Sequence, residues 1–80
     1  MPLFTVRLFA VLRDLAGSSE VEVEGATVDE LVDHLAERFG ERFEGIARSG
    51  SVVVDGERAG RDAVLRGGEQ VALLPPVSGG

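Results

Sequence analysis

The sequence predicts an α+β domain in which one main helix packs on one face of a mixed sheet of four to five strands. Three observations lead to this prediction. Short alternating apolar segments lie near both ends of the chain, and one long amphipathic segment lies between them. The length of 80 residues supports a single domain. A helix laid across a sheet lets each of the two elements bury its apolar face.

The N-terminal quarter alternates between apolar and polar residues, as a half-buried strand does. Residues 3–9 predict a first strand, and residues 10–16 predict a short helical turn that ends at Gly17. The segment Glu20–Glu24 alternates cleanly, with two valines facing inward. It therefore predicts a second strand, antiparallel to the first.

The long helix has the clearest local signal in the chain. Thr27 is placed as an N-cap, and Glu30 stands three residues later as the reciprocal member of a capping box. An apolar stripe follows at helical spacing, and Gly40 ends the helix. His34 lies off that stripe, so we interpret it as a solvated helix residue and not as a catalytic one. The members of the stripe are Val28, Leu31, Val32, Leu35 and Phe39.

The second half of the chain is divided by glycine and proline. Residues 40–50 are predicted to form a polar connection, under which Phe43 and Ile46 complete the core. Residues 51–54 predict a third strand, residues 58–64 a short edge segment, and residues 70–74 a final strand.

The element order is therefore strand, strand, long helix, strand, short edge strand, strand. This is the order of the β-grasp, or ubiquitin-like, fold. Pro75 and Pro76 end the last strand because neither can donate a hydrogen bond to a sheet. We accordingly divide the chain into a β-grasp domain, residues 1–74, and a flexible C-terminal Gly-Gly tail, residues 75–80.

The composition excludes several kinds of chemistry. Without cysteine the chain has no disulfide, no cysteine-based zinc site and no thiol that could hold a persulfide. All eight basic residues are arginine, so a phosphate-binding loop that requires lysine is absent. A net charge of −6 disfavours binding to nucleic acids or anionic membranes and suits a protein partner with a basic surface. No apolar run approaches the ~18–20 residues of a membrane span, and we expect a cytoplasmic protein.

The last six residues predict the functional group. The segment Pro75-Pro76-Val77-Ser78-Gly79-Gly80 favours an extended exit from the sheet and can reach roughly 20 Å. The final two glycines lack side chains and can enter a narrow channel. We therefore expect the C-terminal carboxylate of Gly80 to be presented to another protein. The alternative is a frayed terminus that happens to end in glycine.

Both ends of the chain resemble the MoaD family, the small subunit of molybdopterin synthase. The resemblance lies in residues 65–80, LRGGEQVALLPPVSGG, and in residues 6–17, VRLFAVLRDLAG. Ser78 stands where alanine is common in the family.

The resemblance implies a sulfur carrier that binds no cofactor and is not an enzyme by itself. An E1-like (MoeB-like) adenylyltransferase would use ATP to adenylate Gly80, and sulfur from a persulfide donor would then displace AMP to leave a thiocarboxylate. In MoaD-type proteins the tail inserts into a MoaE-like large subunit, and the thiocarboxylate supplies sulfur to molybdopterin.

Strand parity predicts a docking surface near the root of the tail. If the even-numbered residues of the first strand face the helix, Phe9 and Leu74 fall on the opposite face, together with Val53. An exposed apolar patch of this kind is typical of a partner site. A register error of one residue, or covering loops, would remove it.

Three alternative functions stay open at this point. The chain could carry sulfur for another pathway, such as thiazole (thiamine) synthesis, tRNA thiolation or amino-acid biosynthesis. It could be a ubiquitin-like modifier joined through Gly80 to lysines of other proteins. It could also be an interaction module whose tail is inert.

Overall fold

The computed structural model describes residues 2–77, which form a mixed five-stranded sheet with three helices. The strand order is β2-β1-β5-β3-β4; β1 and β5 are parallel, and the other neighbours are antiparallel. This is the predicted β-grasp, ubiquitin-like fold. The elements are β1 (Leu3–Leu8), α1 (Val11–Ala16), β2 (Glu20–Glu24), α2 (Val28–Phe39), α3 (Glu41–Ser49), β3 (Ser51–Val54), β4 (Glu57–Ala59) and β5 (Val71–Leu74).

One face of the sheet contributes to a single apolar core. Alternate residues of β1, β2 and β5 are buried, as expected for strands with one covered face. They pack against the apolar stripe of α2, against Leu12 of α1 and against Phe43 of α3. The opposite face of the sheet has no helix on it in the described part of the chain.

The N-terminus of α2 forms as predicted, with one difference in its hydrogen bonds. Thr27 Oγ1 accepts a hydrogen bond from the Glu30 N–H at 3.2 Å. The Glu30 carboxylate reaches one residue further back than in a standard capping box and accepts from the Ala26 N–H at 3.1 Å. The N–H groups of Val28 and Asp29 donate to carbonyls of the loop that precedes β5.

The prediction of a polar connection over residues 40–50 is wrong, because this segment contains the helix α3. Phe43 and Ala47 lie one turn apart and are both buried in the core, which fixes the helical conformation through tertiary packing. The rings of Phe39 and Phe43 are 5.2 Å apart. The predicted burial of Phe43 is confirmed, and Ile46 is partly buried against the core.

An ion-pair cluster joins α3 to α2. The Arg48 guanidinium donates to Asp29 at 2.7 Å and to Glu44 at 2.9 Å, and it also pairs with Asp33. The hydrogen bond from Arg48 lowers the pKa of the Asp29 carboxyl below its ordinary value. These contacts fix α3 beside α2 at the end of α3 that leads into β3.

Two further predictions need correction. The edge segment expected at residues 58–64 is a strand only over Glu57–Ala59, because the chain then turns to supply carbonyls to the start of α2. His34 is half-buried and not freely solvated, with its Nδ1 2.5 Å from the Glu24 carbonyl oxygen.

The free edge of the sheet at β2 is covered by side chains. Its three outward carbonyls each meet a polar side chain, so they are not available to another strand. The contacts join Ser18 Oγ to the Glu20 carbonyl at 2.7 Å, Arg38 Nη1 to the Glu22 carbonyl at 2.5 Å, and His34 Nδ1 to the Glu24 carbonyl at 2.5 Å.

None of the helices within residues 2–77 is long and apolar enough to cross a membrane.

Candidate functional site at the root of the tail

The tail begins in the middle of the sheet and not at its edge. β5 lies between β1 and β3 and ends at Leu74, opposite Ser51. Pro75 is half-buried, Pro76 is exposed, and the Val77 side chain is 89% exposed. The chain therefore leaves the domain between Pro75 and Pro76.

The predicted functional end of the tail lies outside the described residues. It comprises Ser78, Gly79 and Gly80, so the presentation of the Gly80 carboxylate stays a prediction. The predicted division of the chain into a domain that ends at residue 74 and a tail also stays a prediction.

The open face of the sheet brings together the three residues of the predicted docking surface. Val53 of β3 pairs with Ala72 of β5, and Leu74 lies two residues after Ala72 on β5. Val53 and Leu74 therefore both lie on the face opposite the helices. Phe9 directly follows the Leu8–Leu73 pair, which puts it level with Leu74 at the end of the sheet. Phe9 is 41% exposed, and Val53 and Leu74 are half-buried. We call Phe9, Val53 and Leu74 the tail-root patch.

A turn with unusual backbone geometry follows Phe9. The Phe9 carbonyl accepts from the Leu12 N–H at 3.1 Å, and Ala10 between them has φ 53° and ψ −127°. These angles are those of the second residue of a type II′ turn, a position that favours glycine. The strained alanine thus ends β1 abruptly and leaves Phe9 at the rim of the open face.

Charges divide the open face into a basic and an acidic part. Arg7 pairs with Ala72 on one side. On the other side Val53 pairs with Ala72, and Arg58 pairs with Val53, so the two arginines stand at the two ends of one row across the sheet. Arg58 donates to Ser51 Oγ at 3.1 Å, and Arg7 lies 3.7 Å from the Glu20 carboxylate. Both arginines are exposed beside the patch, whereas the outer strand β2 presents its glutamates. A partner with carboxylates around an apolar centre would match the tail root, whereas the basic surface expected from the net charge would match only the glutamates of β2.

Sequence reasoning did not identify Arg7, Arg58 or Ala10 as parts of this site. Arg7 becomes a neighbour of Ala72, and Arg58 a neighbour of Val53, only through the pairing of strands. The position of Ala10 after a predicted strand gives no sign of its positive φ. Within residues 2–77 no group of three or more His, Asp or Glu residues is placed to hold a metal ion.

The fold, together with a tail that leaves the sheet beside an open apolar patch, defines a ubiquitin-like carrier domain. The chain belongs to the ThiS family, whose profile matches residues 6–80. It is accordingly a small sulfur-carrier protein of the ThiS/MoaD group that depends on partner proteins. The resemblance to MoaD is confirmed at the level of this group.

Three solved structures illustrate the range of similar proteins. The small archaeal modifier protein SAMP1 from Haloferax volcanii is 31% identical, with a TM-score of 0.78 and coverage of 98% of this chain and 99% of that one. A candidate molybdopterin converting factor, subunit 1, from Pyrococcus furiosus is 31% identical, with a TM-score of 0.80 and coverage of 96% and 100%. A chain of the Amycolatopsis orientalis BexX/CysO complex is 30% identical, with a TM-score of 0.78 and coverage of 96% and 99%.

Proposed function

We propose that this protein carries sulfur as a thiocarboxylate on Gly80 and serves as the small subunit of a molybdopterin synthase in the cytoplasm. The observation that supports this most is the exit of the chain at Pro75 and Pro76, beside the tail-root patch. An enzyme that docks on the patch would have the root of the tail directly beside its docking site. The resemblance of both chain ends to MoaD and the similarity to the Pyrococcus furiosus protein favour the molybdopterin pathway.

The chemistry begins with activation, because a carboxylate has no good leaving group. An E1-like (MoeB-like) adenylyltransferase joins the Gly80 carboxylate to the AMP part of ATP and releases pyrophosphate. A persulfide then attacks the acyl carbon and expels AMP, and a thiol cleaves the resulting sulfur–sulfur bond. The products are the Gly80 thiocarboxylate and a disulfide on the donor. ATP is consumed by the partner, and the carrier itself holds no cofactor.

The carrier contributes the nucleophilic sulfur and its placement. The tail would insert into a MoaE-like large subunit while the tail-root patch holds the two proteins together. Fixing the sulfur in the partner's active site makes the transfer step effectively intramolecular. The acid and base groups for that step belong to the partner.

A second candidate is a protein modifier that becomes attached through Gly80 to lysines of other proteins. The observation that favours it is the similarity to the small archaeal modifier protein SAMP1. The chain itself has no lysine, so in this role it would modify other proteins and could not form lysine-linked chains of itself. Sulfur delivery to another pathway uses the same loaded tail and differs only in the final acceptor.

Intact mass spectrometry tests the loading step. The protein is incubated with a MoeB-like adenylyltransferase, ATP and a persulfide donor, and a carrier gains about 16 Da as sulfur replaces oxygen. A chain that lacks Gly79 and Gly80 is the matched control and gains nothing. An unchanged mass of the full chain would contradict the proposal.

Capture from extract with the same two chains distinguishes the pathways. Recovery of a MoaE-like subunit by the full chain alone supports the synthase role. High-mass adducts on a blot, without such a subunit, favour the modifier.

A further inference from the structure

Gly50, at the junction of α3 and β3, lies against the root of the tail. A Cβ atom at this position would stand 1.9 Å from the Leu74 carbonyl oxygen and 3.0 Å from the carbonyl carbons of Leu74 and Pro75. The φ of Gly50 is −94°, which any residue can adopt. The close approach of the last strand is therefore the constraint that a side chain at this position would meet.

The junction at Gly50 is fixed on its helical side. The Gly50 N–H caps α3 by donating to the carbonyls of Ile46 at 3.1 Å and Ala47 at 3.2 Å. The helix is in turn held by buried Phe43 and by the ion pairs of Arg48. Gly50 cannot move away from the tail without loosening these contacts.

The strand on the other side of the contact is free only at its end. Val71 and Leu73 are buried between two neighbouring strands. Leu74 and Pro75 are half-buried, and Pro76 is exposed. A side chain at position 50 would thus push the segment from Leu74 onward and leave the rest of β5 in place.

We propose that Gly50 is a positioning residue that sets the direction in which the tail leaves the sheet. This inference rests on the proposed function and extends it, because it assigns the aim of the Gly80 thiocarboxylate to a residue 30 positions away. Because Gly50 has no side chain, Leu74 and Pro75 can lie directly against the domain at this point. The fixed φ of Pro75 and Pro76 then transmits that direction to the residues that follow.

The substitution Gly50→Ala tests the inference. The added methyl group must separate from the Leu74 carbonyl by more than 1 Å, since Cβ contacts under 3.0 Å do not occur. The matched control is Gly45→Ala, which lies within α3 and has no atom within 4 Å of the added Cβ. Alanine in a helix is also favoured over glycine by about 1 kcal/mol, so the control should fold normally.

The direction of the tail can be measured without any partner protein. The chain has no native cysteine, so spin labels can be placed at Val77→Cys and at the exposed position Glu37→Cys of α2. Gly50→Ala should shift the distance between the labels by roughly 2–4 Å, because three extended residues transmit the displacement at Leu74. The control should keep the wild-type distance. An unchanged distance in Gly50→Ala overturns the proposal.

The kinetic constants kcat and KM distinguish a change in the direction of the tail from a change in docking. In ATP–pyrophosphate exchange with a MoeB-like adenylyltransferase, Gly50→Ala should lower kcat about 10-fold or more, since a misplacement of about 1 Å can cost ~100-fold. The KM for the carrier should stay within about twofold, because Phe9 and Val53 of the tail-root patch do not contact the added methyl group and keep their places. A shifted distance with an unchanged kcat would refute the role in positioning. Equal losses in the control would attribute the effect to α3 alone and refute it as well.

A second variant covers the case in which Gly50→Ala does not fold. Pro75→Gly with Pro76→Gly leaves the junction intact and removes the fixed φ of both residues. It should also lower kcat with little change in KM, and an undiminished kcat would overturn the proposal. If the wild-type chain shows no exchange with the adenylyltransferase, the proposed function fails. The label distances then still decide whether Gly50 directs the tail.

Discussion

Replacing Phe9 by alanine should weaken binding to a MoaE-like large subunit about 30-fold. The Phe9 side chain is 41% exposed in the free domain. Since a phenylalanine offers roughly 200 Å² of surface, about 80 Å² is left for a partner to cover. At about 25 cal/mol per Å² this area contributes about 2 kcal/mol, or ~30-fold in Kd. Phe9→Asp should weaken binding further, because a carboxylate would lose its water in the interface.

Isothermal titration calorimetry with the purified large subunit measures this effect. The matched control is Val64→Ala, since Val64 is a 66% exposed apolar residue that lies outside the five strands. Thermal unfolding followed by circular dichroism separates lost binding from lost stability. A Phe9→Ala chain that folds and binds within twofold of wild type would show that the partner does not cover the tail-root patch. An equal loss in the control would show that general surface hydrophobicity, and not the patch, determines binding.

Three further predictions concern the fold around the site. Ala10→Gly should raise the unfolding temperature by several degrees, because relieving a positive-φ alanine is worth about 1 kcal/mol; a lower temperature would contradict the assigned strain. Hydrogen bonds from the backbone N–H groups of Arg66 and Gly67 hold the pKa of the Glu69 carboxyl below its ordinary 4.5. The ionised carboxylate therefore stabilises the fold above pH 4.5, and this stabilisation is lost as the pH falls through the lower pKa of the folded state. Glu69→Gln should therefore flatten the loss of stability in acid, as measured by urea unfolding at a series of pH values, and an unaltered slope would refute this. The double substitution His34→Ala, Arg38→Ala should promote self-association through β2, visible by light scattering, whereas a chain that stays monomeric would show that these side chains do not guard the edge.

The sequence predicted those elements whose signals are local. The N-cap at Thr27 and the apolar stripe after it define α2, and the alternation of Glu20–Glu24 defines β2. The faces of the sheet follow from the same parity, so Val53 and Leu74 could be assigned to the open face before the pairing was known. In each case a few consecutive residues contain all the information that is required.

The sequence failed where the deciding contacts are distant. The segment Glu41–Ser49 contains Gly45 and is bounded by two glycines, a composition typical of a loop. It is helical because Phe43 and Ala47 pack into the core and because Arg48 pairs with α2. Such packing cannot be recognised within a window of nine residues.

The same limit explains why the contact between Gly50 and the root of the tail was not predicted. Gly50 meets Leu74 across 24 positions of the chain, and a glycine that follows a polar segment suggests nothing more than a turn. The tail itself was recognised because two prolines and two glycines are a local pattern. The direction that we propose for the tail depends on the tertiary contact between Gly50 and Leu74, which no local pattern shows.

The parallel pairing of β1 with β5 has a consequence for how the cell could discriminate among copies of this protein. The first and last strands of the chain are neighbours at the centre of the sheet, and β5 joins the half formed by β1 and β2 to the half formed by β3 and β4. A nascent chain therefore cannot assemble the surface around Phe9 until its final strand has been made and docked. An activating enzyme that requires this surface together with the terminal glycines would load only copies that have finished folding, and this selection would act as quality control without a chaperone.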